Sequence, residues 1–214
     1  MIDLNIFFEM GEWIGTAAFA VSGAMVAVNK RTDIFGVMLL SVCTALGGGT
    51  IRDMIIGHLP PRMFTNVHYV LLSLICALIV FVLARVYKEK FVEKEPAIEH
   101  VNNVFDAIGL GVFAVSGARI GVEAGFGDNL FLLVFLGMTT AVGGGMLRDV
   151  LIQEIPFVLK KRIYAVAAIA GAMTFALLNR YGVSSPVAYG AGCLVTTALR
   201  LLATKYKWNL PKAI

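Results

Sequence analysis

Seven stretches of this chain are apolar over about the 20 residues that a membrane-spanning helix needs, and they leave room for few folds. They cover residues 7–28, 34–57, 69–86, 104–122, 130–152, 163–178 and 186–203. With 58% hydrophobic and 15% charged residues, the chain is far more apolar than a soluble domain, whose apolar share is about 45–50%. The expected fold is an all-α integral membrane protein, a single membrane domain over residues 1–214 with the lipid bilayer as its surroundings. Trp13, Tyr69, Tyr87, Tyr164, Tyr181, Tyr206 and Trp208 fall near the expected span ends, where an interfacial aromatic belt belongs. Met1-Ile2-Asp3 shows no basic region or small-residue cleavage pattern, so the first span is expected to act as its own insertion signal.

The chain also repeats itself. Phe19-Ala20-Val21-Ser22-Gly23-Ala24 returns letter for letter as Phe113-Ala114-Val115-Ser116-Gly117-Ala118, Pro60 matches Pro156, and Tyr69 matches Tyr164. The offset drifts only between 94 and 96 residues. Residues 7–86 therefore read as a first three-helix repeat, 87–103 as a cytoplasmic linker, 104–178 as a second repeat, and 186–203 as an extra seventh helix. Three spans per unit is an odd number, so the second unit enters the bilayer upside down, giving inverted repeats. Of the 18 Lys and Arg residues, one side receives only Arg62, Arg119 and Arg180, and Arg52 and Arg148 lie within spans. The rest, Arg200 among them, fall on the other side, which is expected to be cytoplasmic. The N-terminus is then outside and the C-terminus inside. A net charge of +4 does not point to nucleic acid, because the basic residues sit between the apolar spans.

The most unusual repeated stretch lies inside the second and fifth spans. Thr44-Ala45-Leu46-Gly47-Gly48-Gly49-Thr50-Ile51-Arg52-Asp53 answers to Thr140-Ala141-Val142-Gly143-Gly144-Gly145-Met146-Leu147-Arg148-Asp149. Three glycines in a helix forfeit roughly 1 kcal/mol each against alanine, and a charge at the bilayer centre costs about 3 kcal/mol or more. One reading is a helix break at each triplet, which frees carbonyl oxygens for a partly dehydrated cation and aims the negative ends of two half-helices at the gap. The other is close helix packing through small residues. Thr44, Thr140, Ser22 and Ser116 could add hydroxyl oxygens to the same path. A back-bond to the preceding turn is the plainer role for Ser22 and Ser116.

Adjacent residues on a helix do not face one another, so Arg52-Asp53 and Arg148-Asp149 are expected to find partners elsewhere, one pair toward each mouth. They could lock a broken helix or touch a permeating ion. Arg119 could snorkel or respond to voltage inside a pore. Cys43, Cys76 and Cys193 fall inside apolar runs with no metal-type spacing and read as packing residues, and His58, His68 and His100 lie in or beside connections, with no metal role expected. No catalytic motif is present: the glycine triplets lack the Lys-Ser/Thr ending and the preceding strand of a phosphate loop. No cofactor or resident metal is called for.

The doubled Phe-Ala-Val-Ser-Gly-Ala and Gly-Gly-Gly-x-x-Arg-Asp elements, with a seventh span, resemble bacterial members of the TRIC (trimeric intracellular cation) channel family over residues 11–202. The resemblance implies a homotrimer in the bacterial inner membrane, with an hourglass pore in each protomer for monovalent cations, mainly potassium, lined by kinked second and fifth spans. It also implies a basic gating residue on span four, for which Arg119 is the candidate. Bacterial relatives have been labelled glycine transporters, so a carrier holding a substrate carboxylate at half-helix N-termini near Thr50 and Met146 is the rival reading. A non-transporting scaffold is a third.

Overall fold

The structure, a computed structural model, describes residues 4–87, 95–160 and 163–208. Among these residues every regular element is helical. The principal helices are α1 (Leu4–Asn29), α2 (Ile34–Ile55), α3 (Val67–Val86), α4 (Glu95–Gly121), α5 (Leu130–Leu151), α6 (Ala165–Arg180) and α7 (Ser185–Lys205). One-turn helices, Arg62–Thr65 and Phe157–Lys160, follow α2 and α5. Six of the principal helices are long and apolar enough to cross a membrane, and α6, with 16 residues, is shorter. At 1.5 Å per residue it reaches about 24 Å, less than a hydrocarbon core of about 30 Å.

Local sequence sets the helix ends. Asp33 caps α2 by accepting the Gly36 N–H at 2.8 Å, and Asn129 caps α5 by accepting the Leu132 N–H at 3.0 Å, each at a first-turn amide that has no partner within the helix. Beyond the C-termini, Gly57 (φ 75°) and Gln153 (φ 58°) turn left-handed. The N–H groups of His58 and Glu154 then return to the carbonyls of Asp53 and Asp149, a helix-closing pattern that satisfies terminal carbonyls. At the end of α4 a π-turn, Val122–Phe126, is closed by Gly125 at φ 89°.

Two expectations from the sequence are corrected here. Residues 95–103, assigned above to the linker 87–103, are the first turns of α4. Pro96 falls in the opening turn, where its missing N–H forfeits no helical bond. Residues 88–94 of that stretch lie outside the described residues. Second, the glycine triplets break neither helix: α2 and α5 run uninterrupted through residues 47–49 and 143–145. No half-helices end at Leu46 or Val142, and none begin at Thr50 or Met146.

What the glycines provide instead is proximity. A Cβ on Gly48 would collide with the carbonyl oxygen of Thr140, and one on Gly144 with the carbonyl oxygen of Thr44. These reciprocal contacts run in opposite senses along the two chains, so α2 and α5 cross antiparallel with their backbones touching. The same plan joins α1 to α4: Gly15 faces Val112 and Phe113, Gly109 faces Phe19, and the Phe19 and Phe113 rings lie 5.2 Å apart. Gly23 and Gly117 let α1 and α4 settle onto Thr44 and Thr140, whose hydroxyls donate to Leu40 O and Leu136 O at 2.6 Å. Lipid tails are as apolar as these side chains, so close small-residue packing rather than apolar burial holds such helices together.

The two ends of the sequence are not treated alike. Only Ser73, Ala77 and Val80 of α3 are buried, a single stripe, and Leu71, Ile75, Ile79 and Val82 are exposed. α6, by contrast, packs between α5 and α7 and buries Ala167, Ala168, Gly171, Ala172, Phe175 and Ala176. Its Ala and Gly content fits a helix enclosed on more than one side. Gly171 and Gly192 let α6 and α7 approach to backbone contact.

Candidate functional site

Two cavities open into the bundle toward opposite ends of α1 and α4. The first, about 50 Å³, is lined by Glu12 and Thr16 of α1, Gly49 and Arg52 of α2, Tyr69 of α3 and Ser116 of α4. The second, about 230 Å³, is lined by Ser22 and Lys30 of α1, Asn102 and Asp106 of α4, and Arg148 and Asp149 of α5. The repeated motifs thus supply both chambers, with the α2–α5 crossing between them.

Each chamber holds one Arg-Asp pair, and each pair is bonded to itself. Arg52 donates from Nε and Nη2 to Asp53 Oδ1 at 2.9 and 2.7 Å, and Arg148 does the same to Asp149 Oδ1 at 2.8 Å from each nitrogen. This corrects the expectation that neighbours on a helix would not meet. Both pairs sit in the last helical turn, where the long guanidinium arm folds along the helix to the adjacent carboxylate, and where a cation also favours the helix dipole. The second carboxylate oxygen reaches forward: Asp53 Oδ2 accepts the Arg62 N–H at 2.8 Å and Asp149 Oδ2 the Phe157 N–H at 2.6 Å. Each aspartate therefore ties the end of its helix to the start of the next one-turn helix. All four side chains are buried, and such a pair holds only while its hydrogen bonds are complete.

Two intramembrane acids, Glu12 and Asp106, went unrecognised in the sequence. Tyr69 donates to Glu12 Oε2 at 3.2 Å and Ser116 to Glu12 Oε1 at 3.0 Å, while Tyr164 donates to Asp106 Oδ1 at 3.0 Å. The signal that finds them is the repeat itself, because an offset of 94 residues carries Glu12 onto Asp106 as it carries Ser22 onto Ser116. Tyr69 and Tyr164, assigned above to the aromatic belt, are the inward-facing donors to these acids. Trp13, Tyr87, Tyr181, Tyr206 and Trp208 are exposed.

Of the other residues singled out, Gly49 and Ser116 line the first chamber and Ser22 the second. Ser22 makes no back-bond; its hydroxyl is buried without a hydrogen-bond partner. Thr44, Thr140, Gly47, Gly48, Gly143 and Gly144 belong to the stretch where α2 and α5 cross, Gly145 faces Arg148 and Tyr164, and none of them lines either chamber. Arg119 also lines neither. It pairs with Glu123 at 3.0 Å, one turn on, and its guanidinium lies 4.0 Å over the Phe8 ring. Arg200, counted above with the loop charges, is buried in α7. It donates to Thr204 Oγ1 at 2.8 Å, lies 5.0 and 5.1 Å from the Phe157 and Tyr164 rings, and places Nε 3.9 Å from Asp106 Oδ2. The cysteines are free and half-buried.

Fold and site define an all-helical, multi-pass membrane protein with polar chambers reaching inward toward a glycine-lined helix crossing. A family model described as glycine transporter matches the chain twice, at residues 9–85 and 103–180. The UPF0126 inner membrane protein YadS of Escherichia coli (strain K12) is 36% identical over 199 residues, 92% of each chain. A solved structure of a TRIC cation channel is 37% identical with a TM-score of 0.84, covering 100% of this chain and 98% of that one. The TRIC trimeric intracellular cation channel orthologue from Rhodobacter sphaeroides is 34% identical with a TM-score of 0.83, covering 94% and 98%. The chain belongs to the TRIC family, in its bacterial UPF0126 branch.

Proposed function

We propose that this protein is a monovalent cation channel, chiefly for potassium, in a bacterial inner membrane. The observation that carries the reading is the pair of chambers, built from equivalent residues and separated by a crossing where two backbones touch at Gly48 and Gly144. Each chamber offers carboxylate and hydroxyl oxygens, and Arg52 and Arg148 are already bound to aspartates, which limits their repulsion of cations. Conduction requires α2 and α5 to part at the crossing, where the missing side chains of Gly48 and Gly144 leave only backbone along the path. The antiparallel contacts of α1 with α4 and of α2 with α5 support two inverted repeats, over residues 7–86 and 104–178, with helix 186–203 added. Loop charge supports an external N-terminus and a cytoplasmic C-terminus. The related channels are described as trimeric, which supports a homotrimer with one pore per protomer. The lipid bilayer is the only other partner the reading needs, and potassium is the permeant ion rather than a cofactor. Nothing in this pathway performs a reaction.

The family description favours a second reading, a carrier for glycine or another small amino acid. The uninterrupted α2 and α5 remove the helix N-termini that were to hold its carboxylate. Single-channel recording from purified protein, with reversal potentials under exchange of potassium for sodium and for a large organic cation, tests the choice. Discrete cation currents are expected. Saturable glycine uptake into proteoliposomes without such currents overturns the channel.

A further inference from the structure

We propose that the second chamber binds a monovalent cation at a site of its own, formed by Ser22, Asn102 and Asp106 and separate from the α2–α5 crossing; this rests on the channel reading and deepens it. The ground is a difference between two chambers built to one plan. In the first, Glu12 uses both carboxylate oxygens, accepting from Ser116 on one and Tyr69 on the other. In the second, Asp106, Ser22 and Tyr164 take the equivalent places, and Tyr164 keeps its bond to Asp106 Oδ1 at 3.0 Å. Aspartate, however, is one methylene shorter than glutamate. Ser22 Oγ and Asp106 Oδ2 are both left buried with no hydrogen-bond partner, and Asn102 Oδ1 on the wall of the same chamber is a third such oxygen.

Buried acceptors without partners are costly and rare in folded proteins. Here Ser22 is 1% and Asp106 7% exposed, and all three oxygens belong to one cavity of about 230 Å³. A set of oxygens of this kind is what a hard cation accepts. Of the three other carboxylates on the wall, Asp149 is committed to Arg148 and Glu154 to Lys30, and Glu99 is exposed, so the buried charge available to the ion comes from Asp106. Arg200 places Nε 3.9 Å from the same oxygen, beyond hydrogen-bond distance, while its Nη1 donates to Thr204. One carboxylate oxygen beside a guanidinium suits a singly charged ion, since divalent sites gather more carboxylate. Tempering of this kind also lets the ion leave, as conduction demands.

The test is anomalous diffraction from crystals of the full-length protein grown in a thallium(I) salt, run beside bilayer recordings of the same preparation. A peak at the Ser22–Asp106 wall is expected in the wild type. It is expected to vanish in Asp106→Glu, whose longer arm reaches Ser22 and reproduces the satisfied pattern of Glu12. Ser22→Ala removes a ligand without breaking any hydrogen bond of the fold, and it should weaken thallium binding about tenfold, the factor equivalent to about 1.4 kcal/mol. No peak in a protein that conducts cations overturns the site and leaves the channel standing. A peak in a protein that passes no cation current overturns the channel and leaves the site standing. A peak undiminished in Asp106→Glu overturns the ligand assignment.

Discussion

Gly48→Ala is the substitution that most directly probes the helix crossing. The added Cβ meets the Thr140 carbonyl oxygen, with the Thr139 carbonyl oxygen 3.2 Å away, and both obstacles are backbone, so no side chain can rotate aside. The helices must separate, and overpacking of this kind costs about 1–3 kcal/mol. Because both obstacles are backbone the upper part of that range, about 2–3 kcal/mol, applies, and alanine returns roughly 1 kcal/mol of helix propensity, which leaves a net loss of about 1–2 kcal/mol. Gly144→Ala meets Thr44 in the mirror arrangement and should lose a similar amount. Because one separation relieves both clashes, the double variant should lose less than the sum, the signature of coupled neighbours. Denaturant-titrated unfolding of the purified protein in detergent measures all three. Gly190→Ala is the control: nothing lies within 4 Å of its added Cβ, so propensity alone should make it neutral or more stable. Gly48→Ala at or above wild-type stability would refute the claim that these backbones touch.

The buried ion pairs give a second prediction. Asp149→Asn keeps an acceptor for the Phe157 N–H but leaves Arg148 uncompensated, and a loss of about 3 kcal/mol in the same unfolding assay is expected. Replacing Arg148 and Asp149 together by leucine should lose less than either single change. Glu12→Gln retains one acceptor oxygen of two, so a loss of about 1 kcal/mol follows, with a smaller unit conductance in single-channel records. Arg119→Ala removes a partly exposed ion pair and a contact with the Phe8 ring, together about 1 kcal/mol. Since Arg119 lines neither chamber, its effect on current should appear in open probability rather than in single-channel amplitude.

Much of this fold could be read directly from the letters. Long apolar runs define spanning helices because a bilayer admits few alternatives, and the repeated Phe-Ala-Val-Ser-Gly-Ala aligns the two halves without any knowledge of contacts. The motif's meaning was only half legible. Glycine's tolerance for irregular backbone and its lack of a side chain make the same spelling, and only the proximity of Thr140 to Gly48 chooses between them. Adjacency rules failed at Arg52-Asp53 because they describe Cβ directions, whereas a guanidinium reaches well beyond its own Cβ. Glu12, Asp106 and Arg200 escaped notice for a different reason. Each lies away from the repeated glycine motif, toward the less apolar part of a span, where a charge is ordinarily solvated; here the neighbouring helices enclose it. The inequality of the chambers turns on Glu against Asp, a difference that substitution habits treat as conservative.

The reciprocal seating of Gly48 on Thr140 and Gly144 on Thr44 also bears on how the protein is made. The first three helices leave the ribosome before their counterparts exist. Until α4 and α5 arrive, Gly48 has no backbone to rest against, and Glu12 has Tyr69 but not Ser116. The first half therefore waits in the membrane as an incomplete core, and insertion of the second half completes it. Two separately expressed halves should be unstable apart and recover when produced together, because the crossing belongs to neither half alone.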